Sequence, residues 1–76
     1  MELLDRITIE AGKRGGRPCI RGLRVTVVDV LELLAAGLST EQIVSQLPYL
    51  EPDDVKACVA YAARYLDHPR MVSAAG

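Results

Sequence analysis

Hydrophobic positions follow two different spacings in this chain, and the change falls near residue 25. Upstream, residues 7–9 form a short β-branched run, glycines over 12–16 supply a turn, and residues 17–21 form a second extended segment. Short runs of this kind on either side of turn residues are typical of paired strands. The pattern predicts a small β-ribbon over residues 5–24. Because two such strands are marginal alone, we expect the ribbon to pack on the rest of the chain or on a second copy.

Downstream of residue 25, hydrophobic residues recur three and four positions apart, which is the spacing of one helix face. Three helices are predicted, over residues 27–36, 40–47 and 52–66. The positions predicted to be buried are Val27, Val30, Leu31 and Leu34, then Ile43, Val44 and Leu47, then Val55, Cys58, Val59, Ala62 and Leu66.

Each predicted helix has a start signal, and the first two also have stop signals. Thr26 with Asp29, and Ser39 with Gln42, have the spacing of capping boxes. A glycine follows the first helix and a proline follows the second, and both residue types end helices. Pro52 suits the first position of the third helix. The last two helices are joined by a tight turn, as in helix-turn-helix domains.

The chain has 76 residues, enough for one domain. We predict that domain over residues 1–66, with a frayed tail over 67–76. A domain of this size buries only about 60% of its unfolded surface. We therefore expect a homodimer to reinforce the small core.

Positive charge is concentrated before residue 25. Five of the nine Lys and Arg residues lie in residues 13–24, here called the arginine loop, which contains no acid. Residues 1–24 carry a net charge of +3, and residues 25–66 carry −4. A block of positive charge on a mildly acidic chain suits phosphates or an acidic protein surface.

The candidate DNA contacts are Arg14, Arg17, Arg21, Arg24 and Lys56. Loop arginines can bridge phosphates or reach into a minor groove, and a dimer doubles their number. Two other roles stay open. Arg21 and Arg24 can instead pair with carboxylates of the first helix or with helix ends and so hold the ribbon on the bundle. The remaining loop cations can simply be solvated.

Three carboxylates, those of Glu51, Asp53 and Asp54, mark the start of the predicted third helix. The positive end of the helix dipole stabilises them there. Phosphates repel carboxylates, so this start disfavours docking of the third helix in a major groove unless an aspartate accepts a bond from a cytosine amino group. We assign these three acids to the binding of a basic protein surface.

No group of residues predicts catalysis, a metal site or a cofactor. Cys19 and Cys58 lack metal-ligand spacing and are expected to be reduced and partly buried. His68, the only histidine, lies beside Pro69 past the last predicted helix, where a solvated side chain is expected. The chain has no apolar run of about 20 residues and no secretion-signal pattern at its start. A cytoplasmic protein without membrane contact is expected.

Three parts of the chain together resemble a known family. They are GRPCIRGLRV over 16–25, LAAGLSTEQI over 34–43, and the short runs Pro48-Tyr49-Leu50, Asp53-Asp54-Val55 and Ala60-Tyr61-Ala62. From about residue 7 to residue 65, the chain closely resembles domain-of-unknown-function family four-three-three, including its Gly-(Lys/Arg)-Pro-x-Ile-Arg-Gly-x-Arg signature. It departs from the usual pattern at Leu23, where threonine is common.

The resemblance implies a VapB-type antitoxin-like protein. The fold it implies is mainly α, a three-helix homeodomain-like helix-turn-helix bundle preceded by a short N-terminal β-ribbon. Such a protein is not an enzyme; it binds and inhibits a PIN-type ribonuclease toxin and represses the shared promoter by binding operator DNA. Two alternatives stay open, a stand-alone DNA-binding regulator and a protein-interaction subunit without a toxin.

Overall fold

A short antiparallel ribbon precedes three helices in the computed structural model, which describes residues 2–67. The elements are β1 (Ile7–Thr8), β2 (Cys19–Ile20), α1 (Val27–Ala35), α2 (Thr40–Gln46) and α3 (Pro52–Leu66), with short 3-10 helices at Leu3–Arg6 and Arg14–Gly16. This order confirms the predicted mainly α fold with an N-terminal ribbon. Apart from Asp67, the predicted tail lies outside the described residues.

The ribbon is held from both sides of β2. On one side Ile7 pairs with Ile20 and Thr8 with Cys19, and on the other Cys19 forms a bridge with Thr26. A tight turn follows β2, in which the Leu23 amide donates to the Ile20 carbonyl at 2.7 Å. β2 therefore lies between β1 and the segment that leads into α1.

α1 and α2 each end one residue earlier than predicted. α1 closes with the amides of Gly37 and Leu38 donating to the carbonyls of Leu34 and Leu33, at 2.9 and 3.1 Å. This is the Schellman arrangement, which requires the left-handed φ of +99° that Gly37 adopts. α2 ends at Gln46 because the next residue has non-helical angles.

The starts of the first two helices have the predicted capping boxes. The Thr26 hydroxyl accepts from the Asp29 amide, and the Asp29 carboxylate accepts from the Thr26 amide, both at 3.0 Å. Ser39 and Gln42 exchange equivalent bonds at 2.8 and 3.1 Å. Four N–H groups that would otherwise lack partners at the helix starts are thus satisfied by local sequence alone.

The core lies where β2 and the three helices meet. Its buried members are Ile20, Val27, Val30, Ile43, Leu50, Val55 and Cys58. The prediction for α3 was wrong at Val59 and Leu66, which are exposed, while Asp54 and Ala57 are buried. The buried face of α3 is rotated toward Asp54, because that helix packs against the 3-10 helix at Leu3–Arg6 as well as against α1.

Candidate nucleic-acid interface

The side chain of Asp54, in the first turn of α3, has none of its surface exposed to solvent. Its two carboxylate oxygens accept from Nε and Nη2 of Arg21 at 2.9 to 3.2 Å, and from Nη1 of Arg6 at 2.9 Å. The backbone amide of Glu51 donates to the same carboxylate at 2.8 Å. This buried charge is therefore paired and fully hydrogen-bonded, which is the condition for a carboxylate to lie in a protein interior.

Arg21 reaches Asp54 from an unusual backbone conformation. Its φ is +47° and that of Gly22 is +73°, so both central residues of the turn after β2 are left-handed. Arginine adopts this region at a cost of roughly 1 kcal/mol, whereas glycine does not. The geometry sends the guanidinium across to α3, where Nη2 also donates to the Tyr49 carbonyl at 2.8 Å. Arg21 therefore occupies the position of the structural alternative, in which it pairs with a helix end and holds the ribbon on the bundle.

Arg6 is the second cation of this group. Besides Asp54, it contacts Glu51 at 2.7 Å and Asp53 at 3.8 Å. Arg6 is not among the residues predicted from the sequence, and the signal that identifies it is the strand register. Because Ile7 lies opposite Ile20, Arg6 is the cross-strand neighbour of Arg21, and the Arg21 amide donates to the Arg6 carbonyl at 2.7 Å.

These contacts define the Asp54 cluster, which consists of Arg6, Arg21, Glu51, Asp53 and Asp54. Burial alone would raise the pKa of Asp54, but the bonds from Arg21, Glu51 and Arg6 outweigh burial and hold that pKa below its usual value. The bonds to Glu51 and Asp54 raise the pKa of Arg6, and the bond to Asp54 raises that of Arg21. The side chains of Asp54, Arg6 and Arg21 therefore all stay charged near neutral pH.

The three acids proposed for partner binding do not lie in equivalent positions. Asp54 is enclosed within the domain, so its carboxylate is not available to a partner, and this corrects its place among the candidate partner contacts. Glu51 and Asp53 remain on the surface. Both are beside Arg6, which offsets part of their charge.

The arginine loop is fixed at both ends by its own side chains. Lys13 contacts the carboxylate of Glu10 at 3.2 Å and donates to the Gly22 carbonyl. Nη1 of Arg14 donates to the Arg24 carbonyl at 2.7 Å and contacts Asp29 at 3.3 Å. The loop is thereby tied to the first turn of α1.

Three of the candidate DNA contacts point outward. Arg17, Arg24 and Lys56 are exposed, and none of them forms an ion pair with another described residue. Arg14 is also exposed but is engaged by Asp29, and Arg21 is engaged by Asp54. The structure thus separates the five predicted cations into three with uncommitted charge and two that also hold the fold together.

Leu23, where the family pattern commonly has threonine, packs against the hydrophobic core. Together with Arg14, Arg24 and Tyr49 it also lines a groove of about 670 Å³ between the arginine loop and the turn after α2. The groove therefore extends from the arginine loop to α1 and to the turn between α2 and α3.

Within residues 2–67, no three His, Cys, Asp or Glu side chains are grouped so that they could hold a metal ion. Cys19 and Cys58 are both free and buried, and burial followed by the nearby Asp54 charge raises the pKa of Cys58 to about 12. Of the helices formed by these residues, none has the length and apolar character needed to cross a bilayer.

The model of the family described as "Protein of unknown function (DUF433)" matches residues 7–62. The chain belongs to the DUF433 family. It is also similar to the uncharacterized protein y4eO of Sinorhizobium fredii (strain NBRC 101917 / NGR234), with 40% identity over 48 residues that cover 63% of this chain and 22% of that protein.

A crystal structure of a DUF433 member from Anabaena variabilis ATCC 29413 has the same fold, with a TM-score of 0.74 and 25% identity. The similarity covers 78% of this chain and 58% of that one. The present chain therefore spans less than two thirds of either relative.

The DUF433 signature acquires a physical meaning in this fold. Within the run Ile20-Arg21-Gly22, the isoleucine is buried in the core, the arginine binds Asp54, and the glycine supplies a left-handed turn position. The separate segment Pro48-Tyr49-Leu50 supplies the carbonyl that Arg21 also binds. The two motifs are the two sides of one contact.

The replacement Asp54→Asn is expected to lower the free energy of unfolding by about 3 kcal/mol, the low end for breaking a buried ion pair, because both arginines retain a route to solvent. Urea unfolding measures this change. The matched control is Asp53→Asn, which removes an exposed contact at 3.8 Å and should cost at most about 1 kcal/mol. Equal losses in the two variants would contradict the central place given to Asp54.

The stability of the domain should also depend on pH through Asp54. The pKa of this group is lower in the folded chain, so its contribution is complete above the unfolded pKa of about 3.9 and is lost as the pH falls through the folded value. We expect the difference in unfolding free energy between wild type and Asp54→Asn to narrow below about pH 4. Urea unfolding from neutral to strongly acidic pH measures it.

Asp29, whose pKa is also lowered, is present in both proteins and cancels in that comparison. Burial alone would raise the pKa of Asp29, but the amide and hydroxyl of Thr26 and the charge of Arg14 outweigh it. A gap between wild type and Asp54→Asn that stays constant down to the lowest pH would contradict the assigned role of the Asp54 carboxylate.

Proposed function

We propose that this DUF433 domain is an antitoxin-like regulatory protein, which binds operator DNA through the arginine loop and α3 and binds and inhibits a PIN-type ribonuclease. The observation that carries the DNA-binding part is the neutralisation of the acidic start of α3 by Arg6 and Arg21. Without those two cations, the start of α3 would carry three uncompensated negative charges, two of them on the exposed side chains of Glu51 and Asp53. With them, the local excess is a single negative charge, and Lys56 follows within one turn of the helix.

The uncommitted cations support the same assignment. Arg17 and Arg24 on the loop and Lys56 on α3 have exposed side chains, and the loop is joined to the first turn of α3 through the bonds from Arg21 to Asp54. A helix-turn-helix protein places such a helix in the major groove, and cations beside it bind the flanking phosphates. Phosphate binding here is led by the loop, and α3 adds fewer contacts.

The ribonuclease part of the proposal rests on the family resemblance and on the exposed acids Glu51 and Asp53. A metal-dependent nuclease binds a polyanion, so the rim of its active site is expected to be electropositive. Two carboxylates at a helix start match such a rim. Because Arg6 holds them at defined positions, they lose less side-chain entropy on binding than free acids would.

DNA binding is tested with short duplexes, one taken from upstream of the protein's own gene and one of random sequence. Arg17→Ala should reduce the slope of log K against log salt by about 1 and weaken binding to both duplexes similarly. The matched control Arg17→Lys keeps the charge and should keep the slope. Fluorescence anisotropy across about 50 to 200 mM salt measures both effects. Salt-independent binding, or none, would refute this part of the proposal.

Toxin binding is tested by purifying the tagged chain from its own cells after nuclease treatment, followed by native mass spectrometry. We expect a PIN-type ribonuclease in near-stoichiometric amount, whose RNA cleavage is suppressed in the complex and returns on dissociation. Glu51→Gln with Asp53→Asn should weaken the inhibition about tenfold, which corresponds to roughly 1.4 kcal/mol.

The matched control for toxin binding is Glu41→Gln, which removes an exposed acid from α2 and should leave inhibition unchanged. Recovery of the chain without a ribonuclease partner, and with DNA only when the nuclease treatment is omitted, would favour a stand-alone DNA-binding regulator over an antitoxin. A chain that binds neither DNA nor a nuclease would favour a protein-interaction subunit.

A further inference from the structure

An apolar groove of about 390 Å³ lies between α1 and the C-terminal half of α3. None of the side chains that line it carries a charge. Pro18, Leu31 and Tyr61 are among the residues that line it. This groove lies outside the Asp54 cluster, and neither the DNA contacts nor the acids proposed for toxin binding account for it.

The rim of the groove exposes large hydrophobic side chains. Val28 is 49% exposed, Tyr65 70% and Leu66 63%. The Tyr65 ring stacks on that of Tyr61, with 6.3 Å between centroids and 15° between planes, and both rings line the groove. An apolar groove edged by exposed hydrophobic side chains is a surface that a rotated copy of itself can fill.

The β-ribbon is less suited to joining two copies. Both sides of β2 are already hydrogen-bonded, and β1 is only two residues long. The hydroxyl of Thr8 on β1 accepts from the Gly22 amide at 2.9 Å. Ribbon pairing, one of the two possibilities left open by the sequence, would therefore gain few backbone bonds.

Charge near the groove is self-complementary. Arg64 and Asp67 lie at the end of α3, both exposed and of opposite sign, and neither forms an ion pair within residues 2–67. In a two-fold interface, residue i of one copy meets residue j of the other, and the same contact occurs twice. Antiparallel approach of two α3 ends can thus pair each Arg64 with the second copy's Asp67.

We propose that two copies of this chain associate through the α1–α3 groove, with Tyr65 and Leu66 of each copy seated against Val28 and Leu31 of the other. The small core of the single domain supports the same conclusion, since domains of this size often gain stability by association. Arg17 precedes Pro18, which lines the groove, so the dimer brings an arginine loop to each side of the shared interface.

The test measures the mass of the full chain by sedimentation equilibrium over a concentration series, without DNA or toxin. We expect twice the monomer mass of 8.3 kDa. Leu66→Glu and Val28→Glu should each weaken association roughly 30-fold or more, the loss of an interface anchor worth about 2 kcal/mol. The matched control is Val59→Glu, at a residue 48% exposed on α3 outside the groove, which should stay dimeric.

Charge reversal gives a second readout that does not disturb the apolar contacts. Arg64→Glu should weaken the dimer, and adding Asp67→Arg should restore it. A wild type that is monomeric at every concentration, or a dimer equally weakened by Val59→Glu and Leu66→Glu, would overturn the proposal. The proposal would also be overturned by a monomer whose groove binds a hydrophobic dye only after residues 68–76 are removed, because that segment would then be the occupant of the groove.

These outcomes are independent of the proposed regulatory function. A monomer that still binds operator DNA and a nuclease would refute the interface alone. A dimer that binds neither would refute the function and leave the interface standing.

Discussion

The buried carboxylate of Asp54 is the constraint on which the arrangement of this domain depends. A charge removed from water is tolerated only where partners surround it, and here the partners come from before β1, from the turn after β2 and from the residue that precedes α3. The requirement that all of them reach one side chain attaches the ribbon to the helices. It also sets the rotation of α3, because the helix face that carries Asp54 must point inward.

The same cluster divides the positive charge of the chain into two classes. Arg6 and Arg21 are committed to carboxylates and hold the fold, whereas Arg17, Arg24 and Lys56 keep charge that can act outside it. Only part of the positive charge in the N-terminal segment is therefore available to bind a partner. Neutralisation has a further effect, since it turns the acidic start of α3 from a barrier to phosphate binding into a nearly balanced surface.

Apolar surface is distributed as unevenly as charge. The side of the bundle with the arginine loop has a groove lined in part by charged side chains, while the side formed by α1 and the end of α3 carries exposed Val28, Tyr65 and Leu66. The rotation of α3 toward Asp54 contributes to this, because burying one side of the helix leaves its final hydrophobic residues outside the core. Electrostatic and hydrophobic surfaces thus lie at different places on a very small domain.

The sequence by itself determined the local features, namely three helices, two capping boxes, the glycine stop after α1 and the ribbon, because each depends on residues only a few positions apart. It also marked the basic segment. Only the tertiary structure decided that Asp54 is enclosed, that Arg6 is its partner, and that Val59 and Leu66 are exposed. Those outcomes depend on contacts between residues 33 to 48 positions apart and on the rotation of α3. Helical periodicity depends only on nearby residues, so it cannot show where distant partners offset the free-energy cost of burying a charge.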